Sequence, residues 1–249
     1  MKISVQQFTH RTTILWKNPK LFFKKFKTRI RPMRKDYRKR FQMNLKEWIL
    51  YHQKNIVFEK CTWMGVRALK NPLDAWIYQE IIFETKPDII IEIGSKEGGS
   101  TLYFAQLLEL MKHGNIISID IDRTNYHINH ERITAITGNS SSTEVVEQVK
   151  SLCKSANSIL VMHDGAHDKE QVLRDIHTYE SLVTIGSYFI IEDGIVDLFK
   201  PHEGVGNFEA GPLAAVTQFL SEQNNFIVDL SRERYLITYN PHGFLKRIK

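Results

Sequence analysis

The chain has 249 residues, 42% of them hydrophobic, which is enough for one sizeable core carrying attachments. Its formal net charge of +6 is unevenly placed, because residues 1–42 hold fourteen Lys or Arg and one acidic residue, whereas the remainder carries a net charge of −7. No apolar run has the length of a membrane span, and no signal-peptide segment is present. The two cysteines lack metal-ligand spacing and argue against a disulfide framework. We therefore expect a cytoplasmic protein.

Residues 1–42 form a basic leader with the run ILWKNPKLFFKKFKTRIRPMRKDYRKRF. Phe22, Phe26 and Ile30 have helical spacing and alternate with lysine and arginine, a mixture that suits an interfacial helix on an anionic membrane. A solvated or disordered arm, or one that packs on another subunit of a homo-oligomer, is the second interpretation. Nucleic-acid binding is the third, and we favour it least.

Residues 43–86 have the pattern of a helical lead-in. NLKEWILYHQ predicts one helix, and a turn at residues 70–72 separates it from a second helix, LDAWIYQEIIFET. Pro87 ends this helix and leads into the first strand. Trp63 and Tyr78 are candidate walls of a ligand site, although core packing is the commoner role of each aromatic residue.

Residues 87–249 have the alternation of an α/β core. The stretch DIIIEIGSKEGGS predicts a buried strand, a glycine-rich turn and the start of a helix. The turn fails the GxGxxG dinucleotide pattern at its middle glycine. Its spacing, ExGxxxGxS, resembles the cofactor loop of S-adenosylmethionine (SAM)-dependent O-methyltransferases, with a plain strand-to-helix turn as the alternative. The candidate cofactor-binding residues in this stretch are Glu92, Gly94, Ser95, Gly98 and Ser100.

Further strands and helices follow this loop in turn. NIISID, RITAIT, SILVMH and SYFIIE predict strands, and Asp168 is the expected N-cap of a helix in DKEQVLRDIHTYESLV. We therefore predict a doubly wound, Rossmann-like parallel sheet. The segments FIVDL and RYLITY predict an antiparallel hairpin at one edge.

Several strands end in acidic residues, and in open α/β sheets the ligand site lies beyond these ends. Asp120 follows the glycine loop at the distance expected for an acid that binds the ribose hydroxyls of a nucleoside cofactor, with Asp122 as the fallback. Asn139 and Ser140 follow the third strand, where they would line the adenine.

Asp164, Glu192 and Asp193 end the fourth and fifth strands. Three neighbouring carboxylates repel one another, and a hard divalent cation such as Mg²⁺ removes that conflict. The alternative is that Asp164 caps a turn and the other two face solvent. His167 is the candidate general base for a substrate hydroxyl. The alternative is that it caps a helix or donates to a carboxylate. His163 should point to the opposite side of its strand.

From about Thr62 to the C-terminus, the chain resembles the cephalosporin hydroxylase/rhamnosyl O-methyltransferase family. The blocks that carry the resemblance are TWMGVRALKNPLDAWIYQEIIFETKPDIIIEIGSKEGGS, DGAH, LVTIGSYFIIEDG and TYNPHGFLKR. It implies the seven-stranded sheet of class I methyltransferases, SAM as cofactor, and Mg²⁺ at Asp164, Glu192 and Asp193. The chain is also more distantly similar to catechol O-methyltransferase, which has a general-base lysine at the place of His167.

We therefore expect a Mg²⁺- and SAM-dependent O-methyltransferase that acts on a hydroxyl of a saccharide, a glycolipid or a related small molecule. The basic leader favours a lipid-linked saccharide at the cytoplasmic face of the membrane as the acceptor. An iron-dependent oxygenase is one alternative, although its usual ligand set has two histidines and one carboxylate. A non-catalytic protein that binds nucleic acid is the other alternative.

Overall fold

The computed structural model describes residues 37–200 and 210–249, and these residues fall into two compact units divided between Tyr51 and His52. The first unit contains helix α1 (Tyr37–Arg40) and most of helix α2 (Leu45–His52). The apolar residues of the predicted membrane helix lie outside the described residues. The predicted division of the chain at residues 42 and 86 stays a prediction.

The second unit contains the remaining elements. After a π-helical turn (Gln53–Val57), its helices are α3 (Phe58–Lys60), α4 (Pro72–Thr85), α5 (Gly99–Met111), α6 (Thr143–Cys153), α7 (Lys169–Tyr179) and α8 (Pro212–Glu222). Its strands are β1 (Thr62–Trp63), β2 (Val66–Arg67), β3 (Ile89–Ile93), β4 (Asn115–Asp120), β5 (Ile133–Thr137), β6 (Ile159–His163), β7 (Tyr188–Ile191), β8 (Phe226–Val228) and β9 (Phe244–Arg247). Short 3₁₀ turns cover Glu180–Leu182, Gly194–Leu198 and Leu230–Glu233.

Seven of the described strands form one mixed sheet in the order β5-β4-β3-β6-β7-β9-β8. The first five strands in this order are parallel, and β9 runs antiparallel to both of its neighbours. Strand order reverses at β3, which pairs with β4 on one side and β6 on the other. A ligand site is expected at such a reversal, beyond the carboxyl ends of the strands. The predicted doubly wound sheet is confirmed.

Helices cover both faces of this sheet because side chains of successive strand residues point to opposite faces. Ile91 and Ile93 pack on one face with apolar residues of α6, α7 and α8. Ile90 packs on the other face with residues of α4 and α5. No helix among the described residues is both long and apolar enough to cross a membrane.

The closing hairpin differs from the prediction. The segment RYLITY is not a strand: Leu236 has a positive φ of 68° and is 82% exposed. The strand that pairs with β8 is instead β9, which lies between β7 and β8 and whose Phe244 and Leu245 are fully buried. Arg232, just before the segment, bonds to Glu84, Asp229 and Tyr188 and so holds the chain in a 3₁₀ turn. This tertiary anchor overrides the local strand propensity.

Candidate active site

The glycine loop brings the end of β3 against the end of β6. Gly94 has a φ of +86°, and a Cβ atom there would lie 2.2 Å from the carbonyl oxygen of Asp164. The backbone N–H of Asp164 also donates to the carbonyl of Ile93 at 2.7 Å. Gly98 has a φ of +88° and directly precedes α5. Only glycine fits at Gly94, where both the conformation and the close approach exclude a side chain.

Glu92 lies beneath the loop and is fully buried. Ser100 Oγ donates to its Oε1 at 2.5 Å, and Thr101 Oγ1 donates to its Oε2. Burial raises the pKa of Glu92, while nearby Lys70 and the two hydroxyls oppose that rise. The carboxyl group therefore ties strand β3 to the first turn of α5, and Ser100 is held by the same bond.

Asp120 closes the glycine loop from the end of β4. Its Oδ2 accepts from the backbone N–H groups of Ser95 at 2.8 Å and Lys96 at 2.6 Å, and its Oδ1 accepts from Asp122 N at 3.0 Å. These bonds occupy three of the roughly four acceptor positions of a carboxylate. Arg123 Nη1 donates to Ser95 Oγ at 2.8 Å from the other side. The predicted ribose ligand is therefore also a loop anchor.

Asn139 and Ser140 lie after β5 and take part in local bonds. Asn139 Oδ1 accepts from the backbone N–H of Ser141 at 3.0 Å. Ser140 Oγ donates to Asp175 Oδ1 at 2.7 Å. The second oxygen of Asp175 is 3.0 Å from His163 Nε2, so His163 points into the packing under α7 as predicted. The loop that would line the adenine is thus connected to β6 through a buried carboxylate.

The acids at the ends of β6 and β7 surround a lysine. Lys70 Nζ is 2.5 Å from Asp164 Oδ2 and 2.7 Å from Glu192 Oε1, and Lys70 and Glu192 are both buried. Burial would lower the pKa of Lys70, but Asp164, Glu192 and Glu92 outweigh it, so the ammonium stays charged. Burial and the neighbouring acids raise the pKa of Glu192, and the charge of Lys70 opposes that rise. One cation thus compensates only part of the buried negative charge.

Asp164, His167 and Asp193 form a second group on the same rim. One ligand atom from each lies within 4.8 Å of the others. His167 Nε2 is 3.0 Å from Asp193 Oδ2 and 3.8 Å from Asp164 Oδ1. Two carboxylates with one imidazole are a donor set that fits a divalent cation. Although burial lowers the pKa of His167, Asp193, Asp164 and Glu192 together raise it above its usual value.

Asp193 is held in an unusual backbone conformation, with φ +60° and ψ +20°. Its N–H donates to Asn240 Oδ1 at 3.0 Å, and Asn240 Nδ2 donates to Tyr78 OH at 2.6 Å. Next to Asn240, the N–H of Tyr239 donates to buried Asp74 at 2.9 Å. The loop before β9 therefore connects helix α4 to the backbone of Asp193.

The structure brings the predicted metal residues to one rim, and it adds two residues that sequence reasoning did not select. In the sequence, Lys70 is recognisable only as part of a turn and Asn240 only as part of a motif block. Neither has a local pattern that reveals a partner, since Lys70 is 122 residues from Glu192 and Asn240 is 47 residues from Asp193.

Comparison with known proteins identifies the family. Residues 55–248 match the family described as rhamnosyl O-methyltransferase/CmcI. The chain belongs to this family. It is 30% identical over 207 residues to a rhamnosyl O-methyltransferase of Mycobacterium leprae, covering 81% of this chain and 89% of the relative. A rhamnosyl O-methyltransferase of Mycobacterium bovis BCG is 27% identical over 208 residues, covering 81% and 84%.

Solved structures of this family have the same fold. A CmcI structure described as Mg-SAM is 22% identical with a TM-score of 0.61, covering 83% of this chain and 85% of that chain. An apo-structure of CmcI is 24% identical with a TM-score of 0.62 and the same coverage. The resemblance stated from the sequence is confirmed, and so is the class of enzyme, an O-methyltransferase, at the level of the family.

Proposed function

We propose that this chain is an O-methyltransferase that uses SAM and Mg²⁺ to methylate a hydroxyl of a saccharide, a glycolipid or a related small molecule. The observation that carries the proposal is the group Asp164, His167 and Asp193 beside the glycine loop. The proposed site for a methyl donor would thus adjoin the proposed site for a hydroxyl. The names of the relatives, rhamnosyl O-methyltransferases, support a saccharide acceptor.

Asp164 and Asp193 would hold the Mg²⁺, with Glu192 as the third predicted ligand. The cation supplies positive charge that polarises an acceptor oxygen and makes its hydroxyl more acidic. The oxygen-rich donor set fits Mg²⁺ better than zinc or copper. Lys70 would hold the carboxylate of Glu192 at the edge of this site, because its ammonium is 2.7 Å from Oε1.

The glycine loop would hold SAM through Gly94, Ser95, Gly98 and Ser100, above Glu92. Asp120 would bind the ribose, and Asn139 with Ser140 would line the adenine. These three segments follow strands β3, β4 and β5, which are neighbours in the sheet. SAM supplies an activated methyl group bound to sulfur.

His167 would accept the proton of the acceptor hydroxyl at its imidazole. Asp193 orients the ring through the 3.0 Å contact with Nε2. Fixing the acceptor oxygen and the methyl donor in line supplies the larger share of the rate, since the reaction between them becomes effectively unimolecular.

The test combines a substitution with cation removal. Asp164→Asn should reduce methyl transfer by about a hundredfold or more while sparing SAM affinity, because it removes a ligand charge but no predicted cofactor contact. Asp168→Asn is the matched control, since Asp168 caps α7 through Gln171 N at 3.0 Å. EDTA should abolish transfer and Mg²⁺ should restore it. Full activity of chelated enzyme, with no divalent cation found by calorimetry, contradicts the proposal.

We propose that the acceptor is lipid-linked and lies at the cytoplasmic face of an anionic membrane. The support is the charge of the leader, +13 over residues 1–42. A homo-oligomer in which the leader packs on another subunit is the competing proposal.

The alternative functions have less support. The metal-ligand group found among the described residues has one histidine, whereas an iron oxygenase typically uses two. Nucleic-acid binding rests on the leader alone and would show a steep dependence on salt.

A further inference from the structure

A cavity of about 410 Å³ lies between the β1–β2 hairpin and helices α4 and α5. This volume falls within the roughly 300–1,000 Å³ typical of small-molecule sites. Aromatic and aliphatic side chains form most of its wall, among them Trp63, Ala68, Trp76 and Tyr103. None of these residues has a part in the chemistry described above.

The wall has one fixed aromatic ring and one exposed ring. Trp63 packs edge-on against Tyr103 with ring centroids 4.8 Å apart, and its Nε1 donates to Gln106 Oε1 at 2.7 Å. Tyr103 OH in turn donates to the carbonyl oxygen of Ala75. Trp76 is 59% exposed although it lines the cavity. An exposed tryptophan at a preformed apolar cavity indicates a ligand-binding surface, because covering its ring with a ligand stabilises the complex.

The cavity adjoins the candidate active site, because two of its lining residues also contact residues of that site. Lys70 lines the cavity, and its ammonium bonds to Asp164 and Glu192. Ser100 lines it as well and donates to Glu92 at the start of α5. Lys70 therefore separates the cavity from the carboxylates at the ends of β6 and β7 by the length of one side chain.

The chemistry of the wall selects an apolar ligand group. Among the described residues that line the cavity, Lys70 is the one charged residue, and two carboxylates already engage its ammonium. The described side chains of the wall offer no free charged group to the ammonium and carboxylate of a methionine moiety, or to a phosphate, and these groups would lose hydration. An alkyl or aryl group has no charged atoms whose hydration would be lost, and it would bury apolar surface in the cavity.

We propose that this cavity binds the apolar aglycone of the acceptor, an alkyl or aryl group joined to the sugar whose hydroxyl is methylated. The inference rests on the proposed function, because it assigns a second part of the same acceptor. Trp76 is the residue that distinguishes such glycosides from free sugars, and it is a specificity residue that takes no part in the chemistry.

The test compares two probes that differ only in the aglycone, octyl and methyl α-L-rhamnopyranoside, both below the micelle concentration of the former. Calorimetry with the full chain, SAM and Mg²⁺ should show the octyl glycoside binding at least about tenfold more tightly. Trp76→Ala should remove most of that preference, and Trp76→Phe should restore most of it. Phe83→Ala is the matched control, since Phe83 lies on the same helix, is 65% exposed and does not line the cavity.

Equal affinity for the two glycosides overturns the inference. An equal loss of the octyl preference in Trp76→Ala and Phe83→Ala also overturns it. Transfer of methyl groups to the methyl glycoside with no octyl preference leaves the proposed function intact and removes only the aglycone site. Tight, Trp76-dependent octyl binding without methyl transfer from bound SAM overturns the acceptor role of the ligand and contradicts the proposed function.

Discussion

Lys70 and Glu192 form a buried ion pair, with Nζ 2.7 Å from Oε1 and both side chains 6% exposed. Asp164 shares the same ammonium at 2.5 Å. Removing one partner of a buried pair leaves an uncompensated charge, which is far costlier than losing an exposed pair. The lysine therefore balances the acids that the candidate metal site requires.

Lys70→Met should lower the free energy of unfolding by about 3–5 kcal/mol without divalent cations. Mg²⁺ should restore part of this loss, because a bound cation returns positive charge to the same acids. Chemical denaturation with and without Mg²⁺ measures both effects. Lys154→Met, at an exposed position, should change the value by less than about 0.5 kcal/mol. An equally small effect of Lys70→Met contradicts the interpretation.

Asn240→Ala should weaken divalent-cation binding. The substitution removes the acceptor for the N–H of Asp193, whose left-handed conformation depends on such support. We expect a cation affinity lower by about tenfold and a stability lower by about 1–3 kcal/mol. Calorimetric titration with Mg²⁺ measures the affinity, and Asn157→Ala, at an exposed position, is the control. Unchanged cation affinity in a destabilised Asn240→Ala protein would limit Asn240 to a structural role.

Substituting Asp120 and Asp122 separately by Asn shows which of the two carboxylates binds the ribose of SAM. Asp120→Asn should weaken SAM binding by about 1–3 kcal/mol, because it removes charge both from the predicted ribose ligand and from the anchor of the Ser95 and Lys96 N–H groups. Asp122→Asn should leave the affinity nearly unchanged. Calorimetry with SAM decides between them, and the reverse order of effects would assign the ribose to Asp122.

Asp74 should make stability depend on pH. Burial raises its pKa from 3.8 to about 6, against hydrogen bonds from Thr238, Tyr239 and Asn71 that lower it. Because the folded protein favours the protonated form, this contribution to stability is complete below about pH 3.8 and is lost as pH rises through about 6.

Asp74→Asn should remove that dependence. From pH 4 to pH 7, the wild-type protein should lose roughly 1–3 kcal/mol relative to the variant. Thermal unfolding of both proteins across this range measures the difference. A constant difference in stability at all pH values would show that Asp74 is ionised throughout.

Deletion of residues 1–42 should abolish binding to anionic liposomes, because the net charge of +13 and the interleaved aromatic residues are lost together. The affinity for SAM should not change, since the predicted cofactor residues lie downstream. Liposome co-sedimentation at low and high salt measures the first effect. Failure of the full-length protein to bind at low salt would favour a subunit-packing arm, which sedimentation analysis would detect.

Sequence periodicity predicted most of the sheet because each parallel strand is a short apolar run between turn residues. The cap of α7 at Asp168 and the turn before α4 were also predicted from local signals, and both are present. The last strand was assigned wrongly, because RYLITY has the alternation of a strand while Arg232 is anchored by Glu84 and Tyr188. Those partners are remote in sequence and leave no local pattern.

The pattern of residues along the chain was enough to predict the fold class, the glycine loop and the acids on one rim, because parallel strands bring their carboxyl ends to the same edge of a sheet. The tertiary structure alone decided how these acids are used. It placed Lys70 between Asp164 and Glu192, bound Asp120 to the glycine loop, and supported Asp193 through Asn240. Each of these contacts joins residues far apart in the chain, and the geometry of such polar contacts depends on packing, which no local periodicity encodes.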